Sequence, residues 1–164
     1  MEQIITVGLG EIAVSRQRDA VLTAFGLGSC VAVAAYDPLL KAGGMLHALL
    51  PVHRNGDRNL AKFVDTGVEE LLRQLLALGA ERDRLYWWVV GGAQMLTMAG
   101  LNERFNIGAQ NVAAAQAALA RQGLRLAGHD TGGHEGRTVR LHIATGVVLV
   151  RTVNGTQRTL SEAR

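Results

Sequence analysis

The sequence predicts a layered α/β (α+β) fold built from mixed β-sheets and helices. Short β-prone runs alternate with two helical segments, and the last two runs form a hairpin, which requires at least one antiparallel strand pair. Hydrophobic residues make up 48% of the 164 residues and the formal net charge is +3, as in a folded chain rather than a disordered one. The length favours a single domain over residues 1–164, large enough to bury a core without a disulfide or a metal.

Five strands are predicted in the first third of the chain. The uncharged segment 20–36 reaches the lower length limit of a membrane helix, but Gly26, Gly28 and Ser29 interrupt it. We therefore interpret it as two strands joined by a tight glycine turn. The predicted strands cover residues 4–7, 12–14, 21–25, 31–36 and 45–50.

Two helices and the remaining strands follow. In residues 63–78 the apolar side chains recur at helical spacing, and Gly79 stands where a C-cap is expected. The alanine-rich segment 111–122 predicts a second helix, which Gly123 ends. Further strands are predicted at residues 85–90, 124–127, 137–144 and 147–153, and the last two form the hairpin.

Composition excludes several classes of protein. Cys30 is the only cysteine, so an internal disulfide is impossible and a reducing, cytoplasmic environment is expected. The first residues lack the basic segment and long apolar core of a signal peptide, so we expect a soluble protein without membrane insertion. Lysine and arginine are scattered rather than interleaved with aromatic residues, which disfavours nucleic-acid binding.

Cys30 and His47 are the first candidates for chemistry. Taken alone, a cysteine in an apolar run is usually a small buried hydrophobe, and a strand histidine is usually a hydrogen-bonded core residue. However, Cys30 follows the flexible turn 26–29, whose backbone N–H groups could stabilise a thiolate and later an oxyanion. His47 lies in the next apolar strand, and two adjacent strands would bring it close to Cys30.

Other motifs do not support a cofactor or metal site. A dinucleotide-binding loop would need a third glycine at Val31, and the chain has no phosphate-binding Gly-Lys-Ser/Thr. Residues 128–137 hold two histidines and two carboxylates at a spacing that fits no standard metal site. We interpret them as a solvated glycine turn in which Arg137 anchors the next strand, and we expect neither metal nor cofactor. Trp87 and Trp88 are interpreted as part of a strand with one buried face.

Several motifs, in their order and spacing, resemble those of one protein family. Residues 26–33 read Gly-Leu-Gly-Ser-Cys-Val-Ala-Val, and residues 44–51 read Gly-Met-Leu-His-Ala-Leu-Leu-Pro. In these segments the chain is similar to the active-site region of the chemoreceptor glutamine deamidases, the CheD family. The resemblance extends over about residues 4–153, with further matches at residues 10–14, 91–95, 107–111 and 130–137.

The resemblance implies a set of catalytic residues. Cys30 and His47 fall on the family's Cys-His pair, which acts with a threonine shortly before the cysteine. Thr23 is the best candidate for that threonine, although it stands one residue further from the cysteine than in the family. Such a shift changes the face of a strand, so a catalytic Thr23 would need a β-bulge, and otherwise a different residue is the third group. Backbone N–H groups at Gly28 and Ser29 would form the oxyanion hole. The implied fold is similar to the catalytic domain of the cytotoxic necrotizing toxins.

The implied function is hydrolytic deamidation of glutamine side chains to glutamate on methyl-accepting chemotaxis receptors, which tunes chemotaxis adaptation. His47 would activate Cys30, and we expect the neighbouring imidazolium to favour the Cys30 thiolate at neutral pH. One alternative is a non-catalytic adaptor that binds receptors or a CheC-type phosphatase and needs no intact Cys-His pair. The other alternative is a cysteine peptidase, for which the sequence marks no peptide-binding cleft.

Overall fold

The computed structural model of the chain describes residues 1–95 and 106–160. Strands occupy most of the N-terminal third and the C-terminal part, and two longer helices lie in the middle of the sequence. The elements are, in chain order, β1 (Gln3–Thr6), β2 (Glu11–Ser15), β3 (Ala20–Leu27), β4 (Val31–Asp37), β5 (Ala42–Ala48), α1 (Val64–Leu78), β6 (Tyr86–Gly91), α2 (Ile107–Arg121), β7 (Arg125–Thr131), β8 (Arg137–His142), β9 (Val148–Thr152) and β10 (Gln157–Thr159).

The strands form two five-stranded sheets of mixed direction. The outer sheet has the order β1-β3-β8-β9-β10, and the central sheet has the order β2-β5-β4-β6-β7. Among these strands, β1 pairs in parallel with β3 and β6 with β7, and the other neighbours are antiparallel. The predicted layered α+β fold with mixed sheets is confirmed, as is the antiparallel hairpin of β8 and β9.

Two hydrophobic cores separate three layers. The inter-sheet core lies between the outer and central sheets and includes Leu22, Met45 and Trp88. The helix-side core lies between the central sheet and the two helices and includes Leu71 and Trp87. The two tryptophans therefore fill both faces of β6. The expectation that only one face is buried is wrong, because β6 is an interior strand of the middle layer.

β4 is buried on both faces because it is the middle strand of the central sheet. Its odd-numbered residues from Val31 to Ala35 face the helices, and its even-numbered residues from Ala32 to Tyr36 face the outer sheet. Burial on both sides explains its uninterrupted apolar sequence. β3 belongs to the outer sheet, so the predicted glycine turn 26–29 carries the chain from one sheet to the other.

The two helices cover the face of the central sheet that points away from the outer sheet. α1 presents its apolar stripe to the sheet as predicted, and Gly79 ends it in the left-handed conformation at φ 113°. α2 begins earlier than predicted, because the Asn106 side chain caps its first turn by accepting a hydrogen bond from the Ala109 N–H at 3.0 Å. Within the described residues, neither helix combines the length and the apolar character needed to cross a membrane.

The C-terminal part differs from the prediction at two places. The strand predicted at 124–127 continues to Thr131, because β7 pairs with β6 up to the register of Gly91 with Thr131. Residues 128–131 therefore belong to a strand rather than to a turn. The short strand β10 was not predicted, since its three residues are polar and exposed and it forms only by pairing with β9.

Candidate active site

Cys30 lies at the point where the chain enters the central sheet. It immediately precedes β4, and its side chain belongs to the inter-sheet core on the same face as Ala32. The residue is 8% exposed. The thiol is therefore held at the rim of the space between the two sheets rather than on the open surface.

His47 lies on the neighbouring strand and faces the same core. β5 is antiparallel to β4, with Ala32 opposite His47 and Val31 opposite Ala48. Met45, two residues before His47, packs in the inter-sheet core, so strand alternation places the imidazole on that side. Cys30 and His47 are thus diagonal neighbours on one face, a relation that brings Cβ atoms within about 7–8 Å of each other. The prediction that they lie on adjacent strands is confirmed.

A backbone carbonyl fixes the His47 ring. Nδ1 of His47 lies 2.9 Å from the Val7 carbonyl oxygen. A carbonyl oxygen only accepts hydrogen bonds, so Nδ1 carries the proton and Nε2 of the neutral ring carries a lone pair. The turn that holds Val7 is itself fixed, because Gly10 N–H donates to the His47 carbonyl at 2.8 Å and Gly8 N–H donates to the Glu11 carboxylate at 2.6 Å. The neutral His47 ring is therefore held in one tautomer and one orientation.

Thr23 is close to this arrangement only through its main chain. Its neighbours Leu22 and Ala24 both pack in the inter-sheet core, so the Thr23 side chain lies on the opposite face of β3. There its hydroxyl donates to the Val21 carbonyl at 3.3 Å. The Thr23 carbonyl, in contrast, accepts from the Val7 N–H at 2.8 Å. The structure brings Cys30 and His47 together, and it does not bring the Thr23 hydroxyl to them.

The turn before Cys30 is held by its carbonyl groups. Those of Gly28, Ser29 and Cys30 each accept a hydrogen bond at 2.9 Å. The donors are, in that order, the Ala93 N–H, the side-chain amide of Asn111 and the Gly92 N–H. In contrast, neither the Ser29 nor the Cys30 N–H donates to another residue within the part of the chain that the structure describes. The turn therefore leaves two backbone donors next to the thiol.

Gly91 permits the close approach of β6 to this turn. Its φ is 112°, in the left-handed region, and a Cβ on it would lie 2.4 Å from the Cys30 carbonyl oxygen. Any side chain here would push the end of β6 away from the turn. Gly91 and Gly92, at the end of β6, are therefore part of the support for Cys30.

The electrostatics of the thiol differ from the expectation. Burial raises the pKa of the Cys30 thiol above its ordinary value, and the N–H of Cys30 itself acts in the opposite direction. The expectation that the thiolate is more populated at neutral pH than in an ordinary cysteine is therefore wrong, because a raised pKa lowers the thiolate fraction. The physical reason is desolvation, since a charge at the edge of the inter-sheet core loses most of its hydration.

Sequence reasoning missed three contributors to this site. Val7 acts through its carbonyl group, which has no signature in a sequence. Glu11 could have been noticed as a carboxylate placed three residues after Gly8, where it can bind the N–H of a turn. Asn111 could have been noticed as a polar residue in an otherwise alanine-rich segment. Its contact to Ser29 spans 82 residues of sequence, so only the fold creates it.

The histidine- and glycine-containing segment 128–137, which runs from β7 into β8, is held together by Arg137. Arg137 is 6% exposed and donates to the Asp130 carboxylate at 2.6 Å and to the Glu135 carbonyl at 3.2 Å. It thereby anchors the start of β8, as expected. Within residues 1–95 and 106–160, no three histidine, cysteine or acidic side chains lie close enough together to hold a metal ion.

Comparison with known proteins identifies the family. The model of the family described as CheD chemotactic sensory transduction matches residues 49–152. A probable chemoreceptor glutamine deamidase CheD from Symbiobacterium thermophilum is 48% identical over 150 residues, which are 90% of this chain and 91% of that protein. A protein of the same name from Pyrococcus abyssi is 45% identical, over 96% of each chain.

A third relative carries the same name without the word "probable". The chemoreceptor glutamine deamidase CheD of Thermotoga maritima is 41% identical over 149 residues, which are 91% of this chain and 92% of that protein. The similarities to these three relatives run over nearly the full length of both aligned chains. The motifs around Cys30 and His47 had already indicated the same family. This chain therefore belongs to the CheD family.

Proposed function

We propose that this protein is a thiol-dependent protein-glutamine deamidase that acts on chemoreceptors in the cytoplasm. The observation that carries the proposal is the placement of Cys30 and His47 as diagonal neighbours on one face of the β4–β5 pair, with the ring fixed by Val7. A thiol beside an oriented imidazole is the arrangement that acyl transfer needs. The names of the relatives supply the substrate, a glutamine side chain of a chemoreceptor.

The first half-reaction forms a thioester. Nε2 of His47 accepts the Cys30 thiol proton, and the sulfur attacks the side-chain amide carbon of the substrate glutamine. The backbone N–H groups at Gly28, Ser29 and Cys30 stabilise the oxyanion of the tetrahedral intermediate. When the carbon–nitrogen bond breaks, the imidazolium gives its proton to the leaving nitrogen. Ammonia departs, and the acyl group stays on the sulfur.

The second half-reaction hydrolyses the thioester. His47 removes a proton from a water molecule, and the resulting oxygen nucleophile attacks the acyl carbon. The carbon–sulfur bond breaks, the sulfur recovers its proton, and a glutamate side chain is released. No electrons are transferred in either half-reaction, so the chemistry needs no redox cofactor.

The Val7 carbonyl serves as the third group of the site. It accepts from Nδ1, which orients the ring and stabilises the imidazolium that forms after proton transfer. Thr23 contributes through its backbone, since its carbonyl binds the N–H of Val7. The Thr23 hydroxyl lies on the other face of β3, so we propose that it is dispensable for catalysis.

Mass spectrometry of a chemoreceptor cytoplasmic fragment tests the function. Each conversion replaces an amide NH₂ by OH, which adds about one dalton per glutamine. The wild-type protein should produce this shift and Cys30→Ala should not. His47→Ala should lower the rate by about 10²-fold or more, because it removes the general base. Thr23→Val keeps the size of the side chain and should retain a rate close to that of the wild type.

Each contrary outcome favours a different conclusion. Full activity in Cys30→Ala would exclude a thiol mechanism. A rate for Thr23→Val as low as that of His47→Ala would restore the hydroxyl as the third catalytic group. Binding of the fragment without a mass change would favour the adaptor, and cleavage of the fragment would favour a peptidase.

A further inference from the structure

A buried asparagine of α2 reaches the main chain beside both reacting side chains. Asn111 is fully buried, and its side-chain NH₂ donates to the Ser29 carbonyl at 2.9 Å and to the Leu49 carbonyl at 3.1 Å. Both partners are carbonyl oxygens, which only accept hydrogen bonds, so the orientation of the amide is fixed. Asn111 Oδ1 has no hydrogen-bond partner in the described part of the chain. Because an unpaired buried acceptor is unfavourable, the role of Asn111 lies in the two carbonyls that it holds.

These two carbonyls lie just outside the start of β4 and the end of β5, close in sequence to Cys30 and His47. Val31 pairs with Ala48, so the same register places Cys30 opposite Leu49, one step beyond the last pair of the ladder. At that step the amide of Asn111 joins the two strands in place of a backbone bond. It therefore fixes the two reacting residues relative to each other from the helix side of the central sheet.

The bond to Ser29 also sets the direction of the Cys30 N–H. A peptide unit is planar and trans, so its C=O and N–H point in opposite directions. The Ser29 carbonyl is held towards α2, on the helix side of the sheet. The Cys30 N–H of the same peptide therefore points to the inter-sheet side, where the Cys30 side chain lies. Its effect on the pKa of the Cys30 thiol agrees with this direction.

We propose that Asn111 is a positioning residue of the active site. By holding the Ser29–Cys30 peptide, it aims the Cys30 N–H at the oxyanion that forms when the sulfur attacks a carbonyl carbon. This inference rests on the proposed function in one respect, namely that Cys30 is the acyl acceptor. Asn111 itself is fully buried behind the turn, so it acts through the main chain and not by direct contact with a substrate.

Two small reagents separate this role from a purely structural one. p-Nitrophenyl acetate acylates the single cysteine through a tetrahedral oxyanion: the carbon–sulfur bond forms, the ester carbon–oxygen bond breaks, and nitrophenolate leaves. Iodoacetamide alkylates the same sulfur by displacement of iodide, without an oxyanion. Both reactions consume the same thiolate, so the ratio of the two rates cancels its population. Neither reagent is a receptor, so the ratio is measured independently of deamidation.

We expect Asn111→Ala to lower the acylation rate by about 10-fold to 100-fold, somewhat less than the loss of an oxyanion donor outright. The alkylation rate should stay close to that of the wild type. Leu119→Ala is the matched control, because Leu119 is a buried side chain of the same helix that packs in the helix-side core about two turns from Asn111. In that variant the ratio of the rates should be unchanged.

Asn111→Asp provides a second variant of nearly the same size. Its carboxylate cannot donate to the Ser29 carbonyl, whereas its protonated form can, so the ratio of acylation to alkylation should rise as the pH is lowered. An unchanged ratio in both variants, or a parallel loss of both rates, would overturn the proposal. If the Asn111 variants change the ratio as expected but the wild-type protein does not convert receptor glutamines, only the proposed function is contradicted.

Discussion

At the scale of single residues, Cys30 and His47 lie on one face of a strand pair but in different surroundings. Cys30 is buried at the rim of the inter-sheet core, which raises the pKa of its thiol. Nδ1 of His47 has a backbone acceptor at 2.9 Å, which leaves Nε2 as the basic nitrogen. The raised pKa of the thiol favours its protonated form beside an imidazole that is fixed in one orientation. Transfer of the thiol proton becomes part of the reaction rather than a condition met beforehand.

The pH dependence of alkylation measures this pair. Iodoacetamide labelling of the folded protein should accelerate with pH up to a midpoint above about 8.5, the value of an ordinary thiol. His47→Ala should slow labelling clearly at pH 7 and much less at pH 10, where hydroxide removes the proton without help. The unfolded chain in urea is the control, since Cys30 is the only cysteine and should there titrate as an ordinary thiol. Equal rates in both proteins at both pH values would show that the two residues are uncoupled.

The same pKa has a consequence for stability. In the folded state Cys30 binds its proton more tightly than in the unfolded state, so the folded protein holds more protons between the two pKa values. The protonated Cys30 therefore stabilises the folded state, and this contribution to the free energy of unfolding is complete below the ordinary thiol pKa. The contribution is lost as the pH rises through the folded value.

At the scale of elements, the contact between α2 and the end of β6 positions the helix that carries Asn111. A Cβ on Gly108 would lie 2.4 Å from the Ala93 carbonyl oxygen and 2.5 Å from the Gly92 carbonyl oxygen. These are backbone atoms, so they cannot move aside without displacing the helix from the sheet. The glycine after β6 and the glycine in the first turn of α2 therefore act together, although 16 positions of sequence separate them.

Gly108→Ala tests this contact. Overpacking against backbone should lower the free energy of unfolding by about 1–3 kcal/mol, despite the better helix propensity of alanine. Urea denaturation measures the change, and deamidation should fall with it because Asn111 moves with the helix. Gly136→Ala is the matched control, since the nearest atoms to its Cβ would be 3.5 Å away. If Gly108→Ala were as stable as this control, close approach would not be what positions α2.

At the scale of the whole molecule, Asp37 joins segments that are distant in sequence. It ends β4, is fully buried, and accepts hydrogen bonds from Arg84 at 2.8 Å and from the Glu81 N–H at 3.1 Å. Burial acts to raise the pKa of this carboxyl, but the hydrogen bonds from Arg84, Glu81 and Leu40 outweigh it and the pKa is lowered. The central strand is thus tied to the segment that leads from α1 into β6.

Asp37→Asn should lower the free energy of unfolding at pH 7 by about 2–4 kcal/mol, because the variant keeps the buried site and loses its charge. Since the folded-state pKa is depressed, the contribution of Asp37 is complete above its ordinary pKa and disappears as the pH falls through the folded value. The two proteins should therefore converge in acid, as followed by urea denaturation from pH 7 downwards. Glu70→Gln, which breaks an exposed ion pair on α1, is the control and should have a much smaller effect. A difference that is independent of pH would contradict an electrostatic origin.

Local sequence patterns determined most of the elements and singled out Cys30 and His47 as the candidate pair. The apolar spacing of α1, its end at Gly79, the apolar strands and the hairpin of β8 and β9 were all predictable, because periodicity and turn chemistry are local properties. Cys30 and His47 were predictable as neighbours because a glycine turn and an apolar strand surround them. The same motifs indicated the family.

The tertiary structure alone decided which groups complete the site. β3 packs on the central sheet through Leu22 and Ala24, so the Thr23 side chain faces away from Cys30, while the Val7 carbonyl reaches His47. The contact of Asn111 with Ser29 likewise depends on how α2 docks on the central sheet. Backbone groups carry no residue-specific signature, and their neighbours across sheets are set by long-range packing. The face and the partner of each group therefore depend on the assembled layers, which no local pattern encodes.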